Sequence, residues 1–91
     1  NPMPKIKLKF AHKEIAEHFG YKEKEIEITV KGKTYSEILN LLKQKYMNRG
    51  NDPTLFDTFI FIHNGYHLHR IGNEEVKEGA TIEILQEVSG G

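Results

Sequence analysis

The sequence has 91 residues, with 13 Lys and Arg against 13 Asp and Glu, so its formal net charge at pH 7 is zero. A chain this short forms one domain with one modest core, burying roughly 60–70% of its unfolded surface, and leaves no room for a large enclosed cofactor. The balanced charge argues against a dedicated nucleic-acid binder, and the absence of Cys rules out disulfides, thiolate metal sites and Cys nucleophiles.

Lack of Cys also fits a reducing, cytoplasmic setting. No apolar run reaches the length of a membrane span, and no signal-peptide pattern opens the sequence. Asn1-Pro2 ahead of Met3 reads as a two-residue extension before a native start.

Taken in chain order, Lys5-Ile6-Lys7-Leu8-Lys9-Phe10 alternates polar and apolar residues, the pattern of a half-buried strand. Lys13 to Gly20 places Ile15 and Phe19 four apart and stops on glycine, which predicts a short helical turn. Glu25 to Val30 alternates again, with Ile26, Ile28 and Val30 facing inward. Thr34-Tyr35-Ser36-Glu37 is a capping box that opens the main helix. Tyr35, Ile38, Leu39, Leu42 and Tyr46 then form one apolar stripe. Gly50 and Asn51-Asp52-Pro53 end that helix and begin a loop.

Thr58 to His63 is an apolar, β-branched and aromatic run, and Asn64-Gly65 joins it to Tyr66–His69 as a hairpin. A turn at Glu78-Gly79 leads to a last strand, Thr81 to Glu87. The order predicts an α+β domain over residues 3–87, a mixed sheet of about five strands with one main helix across one face. Residues 88–91 are expected to be a flexible Gly-Gly tail.

A single helix leaves the other sheet face open. A two-residue turn at Asn64-Gly65 sets Phe61 opposite Leu68 and Ile62 opposite His67. Phe59, Phe61 and Leu68 then face the core, leaving Ile60 and Ile62 on the open face beside His67 and His69. The last strand sends Ile82 and Ile84 inward, and Glu83 and Leu85 outward. Ile60, Ile62 and Leu85 therefore form a candidate partner-docking patch.

The remaining chemistry is sparse. His67-x-His69 puts two imidazoles on one strand face, but without a third nearby ligand it reads as a solvated face rather than a metal site. Phosphate-binding, dinucleotide-binding and GxSxG motifs are absent, and Gly32 is a turn glycine. The row Lys5, Lys7, Lys9 reads as a solvated strand face, and the strand as a guarded sheet edge. No catalytic residue or bound cofactor is expected in the domain. The tail Val88-Ser89-Gly90-Gly91 has two readings. It is a linker-like end, or a backbone thin enough to carry a carboxylate through a narrow channel to ATP.

These pieces, in this order, resemble the ubiquitin-like β-grasp sulfur carriers. Within them the sequence is most similar to the small subunit of molybdopterin synthase (the MoaD type), with archaeal small modifier proteins as near relatives. The resemblance rests on Lys9-Phe10-Ala11 followed by Lys13-Glu14-Ile15-Ala16, the helix opening at Thr34 and Ile62-His63-Asn64-Gly65. Val76-Lys77-Glu78-Gly79 and the terminal Val88-Ser89-Gly90-Gly91 complete it. It implies that a ubiquitin-activating-like enzyme uses ATP to adenylate Gly91, which then becomes a thiocarboxylate. Val88, Ser89 and Gly90 would thread the partner's channel, and the large synthase subunit would receive the sulfur. Lysines of target proteins are the alternative acceptors, and transfer RNA thiolation an alternative pathway. Gln86-Glu87 stands where the family often has Pro-Pro, and Glu78-Gly79-Ala80 where it often has Asp-Gly-Asp. Residues 48–57 make a longer loop than that of the compact thiazole-synthesis carriers.

Overall fold

Alternation sets the first strand, β1 (Lys5–Phe10): Ile6, Leu8 and Phe10 are buried while all three lysines are exposed. The computed structural model describes residues 3–87; the tail predicted at 88–91 lies outside them. After β1 come α1 (Lys13–His18), β2 (Glu25–Thr29), α2 (Tyr35–Asn48), α3 (Pro53–Phe56), β3 (Phe59–His63), β4 (Tyr66–His67) and β5 (Thr81–Gln86). The strands form one mixed sheet in the order β2-β1-β5-β3-β4. β1 and β5 run parallel at its centre, and the other neighbours are antiparallel. β1 is thus an inner strand and not the sheet edge its lysine row suggested.

The capping box forms as the sequence requires. The Glu37 carboxylate accepts from the Thr34 N–H at 2.9 Å, and the Glu37 N–H donates to the Thr34 hydroxyl at 3.3 Å. Of the apolar stripe on α2, Tyr35, Ile38, Leu42 and Tyr46 are buried and Leu39 is half-buried. Hydrogen bonds from the Thr34 backbone and hydroxyl, with Lys33 nearby, hold the Glu37 carboxyl below its ordinary range. A depressed folded-state pKa adds stability that is present above the unfolded value and lost as pH falls through the folded one. Thr34→Ala removes the N-cap acceptor and should cost about 1 kcal/mol at neutral pH. Glu37→Ala should lower the melting temperature at pH 7, with the gap to wild type closing below about pH 4. Thermal melts of the three proteins across pH check both.

The loop expected after α2 contains the short helix α3. Asp52 caps it by accepting from the Thr54 N–H at 3.0 Å, and Pro53 occupies its first turn. The Tyr46 hydroxyl donates to the Asp52 carbonyl at 2.6 Å, while Asn51 Nδ2 donates to the carbonyls of His18 and Tyr46. These bonds tie α1, the end of α2 and α3 together around an aromatic cluster. Phe19 sits at its centre, within 5.2–6.5 Å of the rings of Tyr46, Phe56, Phe59 and Phe61.

The hairpin register is the expected one: His63 pairs with Tyr66 and Ile62 with His67. Asn64 and Gly65 both take positive φ, 51° and 84°, the two-residue turn that Asn-Gly favours. The second strand is shorter than expected, because after the Leu68 N–H bonds the Phe61 carbonyl the chain turns, with Arg70 N–H bonding His67 O. His69 therefore lies outside the strand. In β2, Ile26 and Ile28 are half-buried rather than core residues, while Val30 is buried.

Candidate docking surface

The open face of the sheet divides into a charged half and an apolar half. Across β2 and β1, Lys7 pairs with Glu27 and Lys9 with Glu25, while Lys9 also faces Glu83 of β5. Lys7 Nζ lies 4.0 Å from the Glu25 carboxylate, with both side chains about half exposed, so this contact contributes little. Its meaning is electrostatic balance: Lys7 and Lys9 are matched by glutamates across the strands, whereas Lys5 pairs with Thr29.

On the other half, Ile60 of β3 and Leu85 of β5 are direct cross-strand partners. Ile62, one step along, pairs with Glu83 on one side and His67 on the other. Leu85 is 37% exposed, and Ile60 and Ile62 are half-buried. Ile82 and Ile84, on the opposite face of β5, are fully buried. The structure thus brings the three patch residues together, with the outward parity of Leu85 that the sequence pattern predicted.

The end of β5 is held more firmly than its sequence suggested. Glu87 N–H donates to the Thr58 carbonyl at 2.7 Å, and Gln86 Nε2 donates to the Thr58 hydroxyl at 3.2 Å. Thr58 is itself anchored, its hydroxyl donating to the Leu55 carbonyl at the end of α3, 2.6 Å away. Proline at 87 would remove the N–H that makes the first bond. This chain fixes the base of its tail with a threonine clamp where the resembled family often has a proline pair. Sequence reading missed Thr58, because its partners lie far along the chain and no local pattern marks them. Val88, Ser89, Gly90 and Gly91 lie outside the described residues.

The histidines play several parts. His63 lies on the core side of β3, stacked 4.9 Å from Tyr35, and its Nδ1 donates to the Thr81 carbonyl at 2.9 Å. Burial, with Glu74 nearby, raises the Tyr35 hydroxyl above its ordinary value. The His18 ring packs 5.8 Å from Phe59. His67 and His69 are exposed with ring centres 5.4 Å apart, and the described residues contain no group of three His, Asp or Glu side chains placed to hold a metal. Among those residues no helix is long and apolar enough to cross a membrane.

A central parallel strand pair, flanking antiparallel strands and a helix laid across one face together define a ubiquitin-like β-grasp. The chain belongs to the ThiS family, whose model matches residues 12–91. Solved structures agree on the fold. Molybdopterin converting factor subunit 1 of Pyrococcus furiosus is 20% identical with a TM-score of 0.60, the match covering 93% of this chain and 99% of that one. SAMP1 of Haloferax volcanii is 24% identical with a TM-score of 0.62, covering 96% and 99% of the two chains. Small archaeal modifier protein 1 of Methanosarcina acetivorans is also 24% identical, with a TM-score of 0.59 and full coverage of both. No curated protein matches the chain.

Proposed function

We propose that this protein is a sulfur carrier whose reactive group is the carboxylate of Gly91, working as the small subunit of a molybdopterin synthase. The carrying observation is the ThiS family match, which runs through Gly90-Gly91 to the last residue of the sequence. The synthase assignment takes further support from the similarity to the Pyrococcus furiosus converting factor subunit and from the long 48–57 segment, which holds α3.

In this reading the domain binds no cofactor and supplies no catalytic group. An adenylating enzyme docks on Ile60, Ile62 and Leu85. The Thr58 clamp holds the chain at Glu87, and the four residues beyond it span at most about 14 Å. Glycine at 90 and 91 lets the backbone pass a constriction without a Cβ. The Gly91 carboxylate attacks the α-phosphorus of ATP and releases pyrophosphate. A hydrosulfide equivalent then attacks the acyl carbon and displaces AMP, leaving a thiocarboxylate whose sulfur passes to the acceptor held by the large subunit.

The similarity to two archaeal modifier proteins favours a second reading that shares the activation step. There a lysine ε-amine of a target protein attacks the activated acyl carbon of Gly91 and displaces AMP, forming an isopeptide bond. Both readings require the chain to stimulate ATP–pyrophosphate exchange by its adenylating enzyme, and failure to do so would count against both. Digestion of cellular proteins separates them: Gly-Gly remnants on lysines are expected only for the modifier.

A further inference from the structure

The lane beside β3 that β4 leaves empty has the chemistry of a strand-binding groove. Backbone direction alternates along β3. Glu87 N–H reaches Thr58 O, so Thr58, Ile60 and Ile62 turn their backbone groups toward β5. Phe59, Phe61 and His63 turn theirs the other way, and the 3.0 Å bond from Leu68 N–H to Phe61 O agrees. Because the chain turns away after Leu68, the Phe59 N–H and C=O and the Phe61 N–H have no hydrogen-bond partner among the described residues. Where a longer β4 would have run lies a groove of about 330 Å³. Leu39, Phe56 and Leu68 give it an apolar wall, and Asp57, His67 and His69 border it. Lys43 Nζ lies 5.6 Å from the centre of the Phe56 ring.

We propose that this groove takes a short extended segment of a partner protein as an added strand antiparallel to β3, with apolar residues alternating with acidic ones. Three edge groups at alternate-residue spacing are satisfied together by extended backbone, which supplies one acceptor, one donor and a second acceptor in line. The segment is short because β4 already occupies the lane opposite Ile62 and His63. For the same reason the whole β3 of a second copy would overlap β4. The partner residue opposite Phe59 shares its face of the sheet, so its side chain enters the apolar groove. Its neighbours emerge on the open face beside His67, where an acidic side chain suits the two imidazoles; Lys43 adds positive charge on the helix side against the single Asp57. Ile60 lines the groove and also belongs to the open-face patch, so an added strand continues that surface. This inference does not depend on the chemistry of Gly91.

The test is amide hydrogen exchange by NMR on the full chain, alone and with the acetylated, amidated peptide Glu-Val-Glu-Val-Glu-Val. In the free protein Phe59 and Phe61 N–H should exchange at least about tenfold faster than Ile60 and Ile62 N–H. The peptide should slow both, with shifts confined to β3, Leu39 and Leu68. A peptide methylated on the valine nitrogens, which lack the donor for Phe59 O, should bind at least about tenfold more weakly, and one with Lys for Glu should also lose affinity. Equal protection of all four amides in the free protein would overturn the proposal, as would no binding near 1 mM. So would equal binding of either control peptide. Protection that rises with protein concentration alone would assign the edge to a second copy and overturn it too.

Discussion

Deletion of Gly91 should reduce ATP–pyrophosphate exchange by the adenylating enzyme about 100-fold or more while leaving the fold unchanged. Shortening the chain by one residue withdraws the carboxylate by up to about 3.6 Å. Displacement of a reacting atom by about 1 Å already costs on the order of 100-fold in rate. The domain itself should not notice, because the last backbone hydrogen bond among the described residues is made by Glu87. Equal melting temperatures for the full-length and shortened proteins, beside a collapse in exchange, would locate the function in the terminal carboxyl. A shortened protein that still stimulates exchange fully would leave the interaction surface as the function and remove the carrier and modifier readings together.

Leu85→Glu should weaken binding to the adenylating enzyme by about 10-fold, through lost burial of the exposed part of Leu85 and the desolvation of a carboxylate in its place. Ile60 faces Leu85 directly across the strands, so the new carboxylate would break the apolar surface at its most exposed residue. Stability should change by less than about 1 kcal/mol, because the residue already meets solvent on the face opposite Ile82 and Ile84. Titration calorimetry with the partner, beside thermal melts, separates the two effects. Loss of binding with an unchanged melting temperature fits docking through this face. Unfolding of the variant would place Leu85 in the core, and unchanged binding would remove it from the interface.

How legible each element was depended on how local its causes are. β1 and the start of α2 stand plainly in the sequence, since strict alternation and the Thr34–Glu37 box act within a few residues. The hairpin register was equally readable, because Asn64-Gly65 fixes both the turn and the pairing of His63 with Tyr66. The signal for α3 is ambiguous in the sequence: Asp52 followed by Pro53 is a cap and a first helical position as well as a loop marker. The shortness of β4 was hidden, since His67-Leu68-His69 alternates like a strand although the chain turns back at Arg70.

Contacts between distant segments lay beyond sequence reasoning. The parallel pairing of β1 with β5 turned an expected edge into the centre of the sheet, and it placed Glu83 beside Lys9. The Thr58 clamp joins the end of α3 to the end of β5, and no spacing within the sequence announces it. For the candidate site, the side-chain parity of Ile60, Ile62 and Leu85 was legible, whereas their union with a pinned strand end required the sheet.

Whether the Gly91 carboxyl carries the chemistry is decided by the mass of the C-terminal peptide after incubation with the cognate adenylating enzyme, ATP and a sulfide donor. The expected result is replacement of one oxygen by sulfur, confined to a fragment ending in Gly91 and dependent on ATP. An unchanged mass, with an enzyme verified to exchange pyrophosphate in the presence of this chain, would contradict the carrier reading.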